Sequence, residues 1–248
     1  MKAIILAAGR GSRMESLTDE QPKCLIELRG RSLLDWQIAA LRSAGISEIG
    51  IVTGYKREML ANRGLVEFHN AHWAETNMVS SLACAEIWLL QEPCIVSYSD
   101  IFYNDTAVQA LMLNTSPIAI TYDPDWLAIW SQRFDDPLLD AETFRISHTS
   151  TLIEIGKKPK STDEVEGQYM GLLRLTPAGW SEISRVRQSL GRAQADKLHM
   201  TGTLQKVIDS GRIPIAAISY KEKWGEIDSP SDLQFSNNMC LDGHKYDI

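Results

Sequence analysis

The chain opens with Met1-Lys-Ala-Ile-Ile-Leu-Ala-Ala-Gly-Arg-Gly-Ser-Arg-Met14, and Gln21-Pro-Lys-Cys-Leu25 follows shortly afterwards. Lys2 to Leu6 is a short apolar run, which predicts a fully buried strand. Small residues and two glycines follow it, so backbone N–H groups can approach a ligand closely, and their dipoles favour phosphate oxygens. Arg13 adds a rigid fork of donors, and Lys23 adds a mobile charge on a loop that we expect to be exposed. Together these features predict a triphosphate-binding loop.

Two common glycine motifs do not fit this stretch. A dinucleotide-binding fingerprint needs a third glycine where Met14 stands, which argues against a dehydrogenase. A P-loop needs Gly-Lys followed by Ser or Thr, and this combination does not occur here. On these residues alone, an ordinary strand-to-loop turn stays open as the alternative to nucleotide binding.

Length, composition and charge indicate a soluble globular protein. The chain has 248 residues, of which 44% are hydrophobic and 23% charged, and this allows a sizeable core. The net charge of −7 argues against extended nucleic-acid binding. No segment has the length and apolarity of a membrane span. The four cysteines show no CxxC spacing, which is typical of reduced thiols, and we expect a cytoplasmic protein.

Hydrophobic periodicity predicts helices and strands that alternate along the first half of the chain. Helical spacing runs from Leu33 to Leu41, with Ser32 as its cap. Another helix is expected to run from the Glu75 region to about Leu90, with Ile87 on its apolar face. Predicted strands at 49–53, 65–69 and 93–98 complete βαβ units, which favour a Rossmann-like α/β fold with a mostly parallel sheet. Ligands then bind beyond the carboxyl ends of the strands.

Several polar residues fall where that edge of the sheet is expected. Asn77, Ser80 and Ser81 lie on the first turn of a helix, where they either cap it or face a nucleotide. Asp100 directly follows a predicted strand, so it either holds Mg²⁺ or caps the helix expected near 104–113. Near the end of the chain, Glu226 and Asp228 are two residues apart in a predicted strand and therefore point to the same face.

Residues 122–175 differ in composition from the rest, because aromatic residues, acids and prolines are mixed there. They predict a small, partly antiparallel lobe inserted into one domain, 1–236, and residues 237–248 read as a polar tail. Trp126 and Trp130 are four residues apart and share one helix face. Such a pair lies in a core more often than in a binding site.

Two sets of motifs resemble a known family. Leu-Ala-Ala-Gly-Arg-Gly-Ser-Arg from Leu6, followed by Pro-Lys-x-Leu from Pro22, resembles the signature of nucleotidyltransferases that join an NTP to a phosphorylated small molecule. Trp-x-x-x-Trp-x-x-Arg-Phe-x-x-Pro-Leu from Trp126 and Glu-Gly-Gln-Tyr-Met-Gly-Leu-Leu from Glu166 are more similar to phosphonate and phosphocholine cytidylyltransferases than to hexose-1-phosphate enzymes. The resemblance extends from Ala3 to Leu233.

The resemblance implies transfer of CMP from CTP to a phosphonate or phosphate oxygen, with release of pyrophosphate. Lys23 and Arg13 would act in catalysis, and a homodimer is compatible with the family. Three carboxylates would hold the cofactor Mg²⁺: Asp100, Asp228 and Glu226. The residues expected around the nucleotide are Leu6, Ala7, Ala8, Gly9, Gly11, Ser12, Arg13, Lys23, Asn77, Ser80 and Ser81.

The acceptor stays open among phosphocholine, aminoethylphosphonate and a carboxylated phosphonate such as phosphonoformate. Choline needs an aromatic cage, a primary amine needs buried carboxylates, and a carboxylate needs cations. His199 stands where related sequences commonly carry an acid, although it could equally lie at a helix start away from the substrate. We expect a phosphonate acceptor, and among these an anionic one. The candidate acceptor residues are Trp126, Trp130, Arg133, Lys157, Lys158, Tyr169 and His199.

Two rival functions remain. One is a sugar-1-phosphate nucleotidyltransferase, which performs the same chemistry on another acceptor. The other is a non-catalytic nucleotide-binding regulator, and the presence of Lys23, Asp100 and Asp228 argues against it.

Overall fold

A computed structural model describes residues 1–238 of the chain, which form a seven-stranded sheet with helices on both faces. In chain order the strands are β1 (Lys2–Ala7), β2 (Glu27–Leu28), β3 (Arg31–Ser32), β4 (Ile49–Thr53), β5 (Val66–His69), β6 (Cys94–Tyr98), β7 (Ile101–Tyr103), β8 (Ile118–Asp123), β9 (Phe144–Ile146), β10 (Leu152–Ile155), β11 (Gln168–Leu175), β12 (Ile215–Ser219) and β13 (Trp224–Glu226). The α-helices are α1 (Leu33–Ser43), α2 (Met78–Ala83), α3 (Glu86–Leu89), α4 (Asp105–Leu113), α5 (Trp126–Arg133), α6 (Pro177–Leu190), α7 (Arg192–Ala195), α8 (Met200–Ser210) and α9 (Pro230–Asn238).

The strand order in the main sheet is β12-β8-β11-β6-β1-β4-β5. Every neighbouring pair is parallel except those that involve β11, which runs antiparallel to both β6 and β8. A mostly parallel sheet covered by helices confirms the predicted Rossmann-like α/β class. The central position of β1 explains its apolar sequence, because Ile4 and Ile5 are fully buried between the two helical layers.

The first helix follows the sequence signals closely. The Ser32 hydroxyl caps α1 by accepting a hydrogen bond from the Asp35 N–H, at 3.1 Å. The predicted helix over residues 75–90 divides instead into α2 and α3. Ile87, which was expected in the core, is 62% exposed because it lies on the outer side of the short second helix.

The predicted inserted lobe is smaller than residues 122–175. β8 and β11 both belong to the main sheet, where Leu172 pairs with Ser97 of β6. The change in composition at residue 122 therefore marks the end of β8, a strand of the main sheet. Between β8 and β11 lie α5 and the antiparallel pair of β9 and β10.

A second small antiparallel pair joins distant parts of the chain. β7 directly follows the segment that contains Asp100, and it pairs with β13, so that Glu226 lies opposite Ile101. Asp228 lies beyond the end of β13, although the sequence suggested that it belonged to the strand. This pairing brings the two acidic segments to one place.

The described residues include only the beginning of the predicted polar tail, 237–248. Residues 237 and 238 end α9, and the rest of the predicted polar tail, 239–248, lies outside the described residues. Among residues 1–238, none of the helices combines the length and the apolarity that a bilayer crossing requires.

Replacement of Trp130 by alanine should lower the free energy of unfolding by about 3–5 kcal/mol, the usual cost of truncating a buried tryptophan. Trp130 is 1% exposed and contacts the rings of Trp126 and Trp224, with centroids 6.3 and 6.2 Å away. Urea unfolding measures the change. Leu127→Ala on the same helix is the control, because Leu127 is 40% exposed, and equal losses in the two variants would contradict this assignment.

Candidate functional site

A cavity of about 440 Å³ opens at the carboxyl ends of β1 and β6. Most of the residues predicted to bind the nucleotide line it, namely Leu6, Ala8, Gly9, Gly11, Ser12, Arg13, Lys23, Asn77 and Ser81. Trp73, Thr76 and Met78 also line it and were not predicted from the sequence. The cavity therefore lies where the parallel sheet was expected to bind a ligand.

Two of the predicted nucleotide residues lie elsewhere. Ala7 is the last residue of β1 and is buried in the core. The Ser80 hydroxyl donates to Asp196, at 2.7 Å, and accepts from the Arg187 guanidinium, at 2.7 Å. Ser80 thus links α2 to α6 and to the residue that follows α7, and it does not line the cavity.

The glycine loop is shaped around the stem of Lys23. Gly11 has a φ of +75°, and a Cβ atom there would lie 2.7 Å from Cδ and 2.8 Å from Cβ of Lys23. Gly9 has no atom within 4 Å of the equivalent position. Gly11 is therefore required both by the backbone conformation and by close packing, and Gly9 by neither.

Lys23 lies between two carboxylates. Its ammonium nitrogen is 2.8 Å from Asp100 Oδ2 and also contacts Asp228 Oδ1. Arg13 reaches the other oxygen of Asp228, at 2.8 Å. Lys23 is only 7% exposed, so the expectation of an exposed loop is wrong at this residue. Burial alone would lower the pKa of Lys23, but the two carboxylates outweigh it and raise the pKa.

Asp100, Glu226 and Asp228 converge as predicted, with one oxygen from each lying within 4.8 Å of the others. The pairing of β7 with β13 brings them together, and the Ile227 N–H donates to the Asp100 carbonyl, at 2.9 Å. Burial and the charges of Asp228 and Asp100 raise the pKa of Glu226 well above its usual range. Burial would also raise the pKa of Asp228, but Lys23 and Arg13 lower it.

The donor set fits a magnesium ion. Asp100 Oδ1 is buried and has no hydrogen-bond partner among residues 1–238, which leaves an acceptor available at the centre of the cluster. Carboxylate oxygens are the ligands that Mg²⁺ takes in proteins, together with phosphate oxygens and water. The alternative role for Asp100, capping a helix, is not observed, because α4 begins at Asp105 with Asn104 in the cap position.

Two buried contacts that the sequence did not reveal hold these acids in place. The Gln37 side-chain amide donates to the carbonyl groups of Tyr98 and Ile101, on either side of Asp100, at 2.8 and 2.5 Å. Asp232 Oδ2 accepts from the Asp228 N–H at 3.1 Å, and Oδ1 accepts from Arg133 Nε at 2.9 Å. Asp232 therefore fixes the backbone of Asp228 and neutralises Arg133 at the same time.

A second cavity, of about 230 Å³, adjoins the first. Two of the residues named above as candidates for acceptor binding, Tyr169 and His199, line it. Residues that were not predicted also line it, including the carboxylates Asp140 and Glu142. Burial raises the pKa of both carboxyl groups, although the Thr201 hydroxyl and His199 act in the opposite direction on Glu142.

The other predicted acceptor residues lie outside both cavities. Trp126 and Trp130 are in the core, where Trp126 donates to the carbonyl of Val165, at 2.9 Å. The side chain of Arg133 is buried against Trp130 and paired with Asp232. The exposed lysines at 157 and 158 turn to other partners: Lys157 pairs with Glu154 at 3.2 Å, and Lys158 donates to the carbonyl groups of Leu138 and Leu139.

Comparisons with known proteins gave matches to a family model and to individual relatives. A family model described as the MobA-like NTP transferase domain matches residues 3–149. The CTP:phosphoglutamine cytidylyltransferase of Campylobacter jejuni subsp. jejuni serotype O:2 is 38% identical over 250 residues, which span 94% of this chain and 98% of that protein. The choline-phosphate cytidylyltransferase of Streptococcus pneumoniae is 35% identical over 102 residues, or 40% of this chain and 42% of that protein.

A solved structure shares the fold along almost the whole chain. The inositol-1-phosphate CTP transferase from T. maritima superposes with a TM-score of 0.75 and 19% identity, covering 98% of this chain and 97% of that one. Together these matches confirm the predicted nucleotidyltransferase class, the resemblance to cytidylyltransferases and the fold.

Replacement of Lys23 by methionine should tighten the binding of Mg²⁺ in the absence of nucleotide by about tenfold or more, because a competing positive charge between the two carboxylates is removed. Turnover should nevertheless fall by about 10²–10³-fold, the scale for losing one charge-stabilising donor. Mg²⁺ titration followed by thermal unfolding measures the first effect. Lys206→Met, at an exposed position of α8, is the control, and unchanged Mg²⁺ binding in Lys23→Met would contradict a shared site.

Gly11→Ala should destabilise the protein, and Gly9→Ala should not. The Gly11 variant forces a side chain into the left-handed region, at a cost of about 1–3 kcal/mol, and pushes against the Lys23 stem. Urea unfolding of both variants without ligand is the measurement. If the two alanines had the same effect on the free energy of unfolding, the packing of Lys23 against Gly11 would not constrain the loop.

Proposed function

Because the chain belongs to the MobA-like NTP transferase family, we propose that it is a cytidylyltransferase, which transfers CMP from CTP to a small phosphorylated or phosphonylated acceptor. The observation that carries this proposal is the cluster of Lys23, Arg13 and three carboxylates at the mouth of two adjoining cavities. The 440 Å³ cavity, which we call the donor cavity, then takes the CTP, and the 230 Å³ cavity, which we call the acceptor cavity, takes the acceptor.

The chemistry joins two anions. An acceptor oxygen attacks the α-phosphorus of CTP, a new P–O bond forms, and the bond to the β-phosphate oxygen breaks to release pyrophosphate. Lys23 and Arg13 face the cavity and neutralise the charge that builds on the α-phosphate. Mg²⁺ held by Asp100, Asp228 and Glu226 would add further neutralisation of phosphate oxygens. The backbone of the Gly9–Gly11 loop supplies N–H donors for the triphosphate.

The proposed base is cytosine. Ala8, Asn77 and Ser81 line the cavity proposed to hold CTP, together with Trp73, whose ring offers a flat apolar surface. Backbone and hydroxyl groups there can hydrogen-bond the exocyclic amine and the carbonyl of a pyrimidine. The cytidylyltransferases among the relatives support the same choice.

The proposed acceptor carries an ammonium group. Asp140 and Glu142 face the acceptor cavity, and buried carboxylates are the partners that a primary amine needs. A choline group would need a cage of aromatic rings, but Trp126, Trp130 and Trp224 are each less than 5% exposed and do not line this cavity, where Tyr98 and Tyr169 supply the aromatic rings. Arg133, Lys157 and Lys158 also lie outside the cavity, so the expected anionic phosphonate, such as phosphonoformate, keeps only His199 of the four side chains on which it rested.

Two compounds fit these requirements. Phosphoglutamine, the acceptor named for the Campylobacter relative, has an amino-acid ammonium group, and aminoethylphosphonate has a primary amine on a phosphonate. A cytoplasmic location and a homodimer stay predictions.

A substrate panel tests the proposal. Pyrophosphate release is measured with CTP, UTP, ATP and GTP, each against phosphoglutamine, aminoethylphosphonate, phosphocholine, phosphonoformate and a hexose 1-phosphate, with and without Mg²⁺. We expect CTP with an amine-bearing acceptor to give the highest kcat/KM, because a wrong base or acceptor leaves buried polar groups unpaired. Preference for a hexose 1-phosphate with UTP would replace the proposal by a sugar nucleotidyltransferase, and no turnover with any pair would favour a nucleotide-binding regulator.

A further inference from the structure

His199 lies at the junction of the two cavities. Five residues line both of them: Arg13, Met78, Tyr98, His199 and Asp228. If the proposed function is correct, the acceptor oxygen and the α-phosphorus must meet at this junction, because the new bond joins the contents of the two cavities. Within this set Arg13 and His199 carry the nitrogen donors that a phosphoryl or phosphonyl group can use.

The orientation of the Asn77 amide determines which nitrogen of His199 carries hydrogen. Asn77 Oδ1 accepts from the Met78 N–H at 2.7 Å, and Nδ2 donates to the Lys197 carbonyl at 3.2 Å. The same Nδ2 is 3.0 Å from His199 Nδ1. Since an amide nitrogen only donates, Nδ1 must be the acceptor and holds no hydrogen. The neutral imidazole therefore carries its hydrogen on Nε2.

The backbone fixes the position of the ring. His199 immediately precedes α8, and its carbonyl accepts both the N–H and the hydroxyl of Thr203, each at 2.9 Å. On the other side, the Asn77 N–H donates to the Asp196 carbonyl at 2.7 Å. The start of α2 and the start of α8 thus hold the imidazole between them.

We propose that His199 Nε2–H donates a hydrogen bond to the phosphoryl or phosphonyl group of the acceptor and helps to align it for attack. Asn77, which lines only the donor cavity of the two, is then a positioning residue for His199. This proposal rests on the proposed function, because it requires an acceptor in the second cavity. It gives one residue a direct role in acceptor recognition and distinguishes that role from CTP binding.

Substitution of His199 by each of the two amide residues, Gln and Asn, tests the Nε2–H hydrogen-bond donor. The side-chain nitrogen of Gln in His199→Gln reaches the place of Nε2, whereas that of Asn in His199→Asn reaches only the place of Nδ1. We expect His199→Asn to lower kcat/KM for the acceptor by about 10- to 100-fold, the effect of losing a hydrogen bond to a charged group. The loss for His199→Gln should be about fivefold at most, since a charge-assisted donor is retained.

Calorimetric titration with CTP in the absence of acceptor is the second readout, and the CTP affinity should stay within about threefold in both variants, because the lost contact lies on the acceptor. Equal losses in the two variants, or a larger loss in His199→Gln, would show that the Nε2 donor is not what recognises the acceptor and would overturn the proposal. A weaker affinity for CTP equal to the loss in turnover would also overturn it.

The third readout does not depend on turnover. Long-range ¹H–¹⁵N spectra of the histidine rings identify the tautomer, and the signal that disappears in His199→Gln belongs to His199. Hydrogen on Nε2 is expected, and hydrogen on Nδ1 would overturn the proposal. If wild-type protein releases no pyrophosphate with any acceptor, the proposed function itself fails, which is distinct from an active enzyme that tolerates His199→Asn.

Discussion

The contact of one buried ammonium group with two carboxylates organises the whole site. Lys23 touches Asp100 and Asp228, and Glu226 lies beside them. Three carboxyl groups within one small volume repel one another strongly when charged, and burial increases that repulsion. Lys23 and Arg13 lessen this repulsion by pairing with Asp100 and Asp228, and burial together with the neighbouring charges favours the protonated form of Glu226. A divalent ion at this place would lessen the repulsion further, because all three carboxyl groups could share it.

Lys23, Asp100 and Asp228 lie far apart in the sequence, and the fold brings them into contact. Lys23 is separated from Asp100 by 77 residues and from Asp228 by 205. The parallel strands β1 and β6 end at one edge of the sheet, and Lys23 and Asp100 follow them there. The small β7–β13 pair brings Asp228 to the same edge. Gln37 and Asp232 then fix the backbone around the acids with hydrogen bonds that involve no ligand.

The sequence predicted those parts of the site whose signals are local. Asp100 directly follows a buried strand, and the glycine loop directly follows another, so their place at the sheet edge follows from chain direction alone. Other features depend on contacts between distant segments. Nothing near Arg133 indicates that Asp232 will neutralise it, and Trp130 carries the same pattern whether it lines a pocket or a core. The sequence places β11 in an insertion, because polar segments flank it. In the structure its apolar residues pack in the main sheet, between β8 and β6.

The reversed strand β11 also divides the molecule in a way that matters for its folding. Strands β5, β4, β1 and β6 come from the first 98 residues and adjoin one another, and β11, β8 and β12 come from the later chain. Lys23 belongs to the first group, while Asp228 and His199 belong to the second, so the residues of both halves are needed to form the site. A ligand at this seam joins the halves, and at one hundred times its Kd it would stabilise the native state by about 2.7 kcal/mol. Bound nucleotide would then lower the population of unfolded chains that proteases can cleave, so that the protein's resistance to proteolysis would depend on the supply of its own nucleotide.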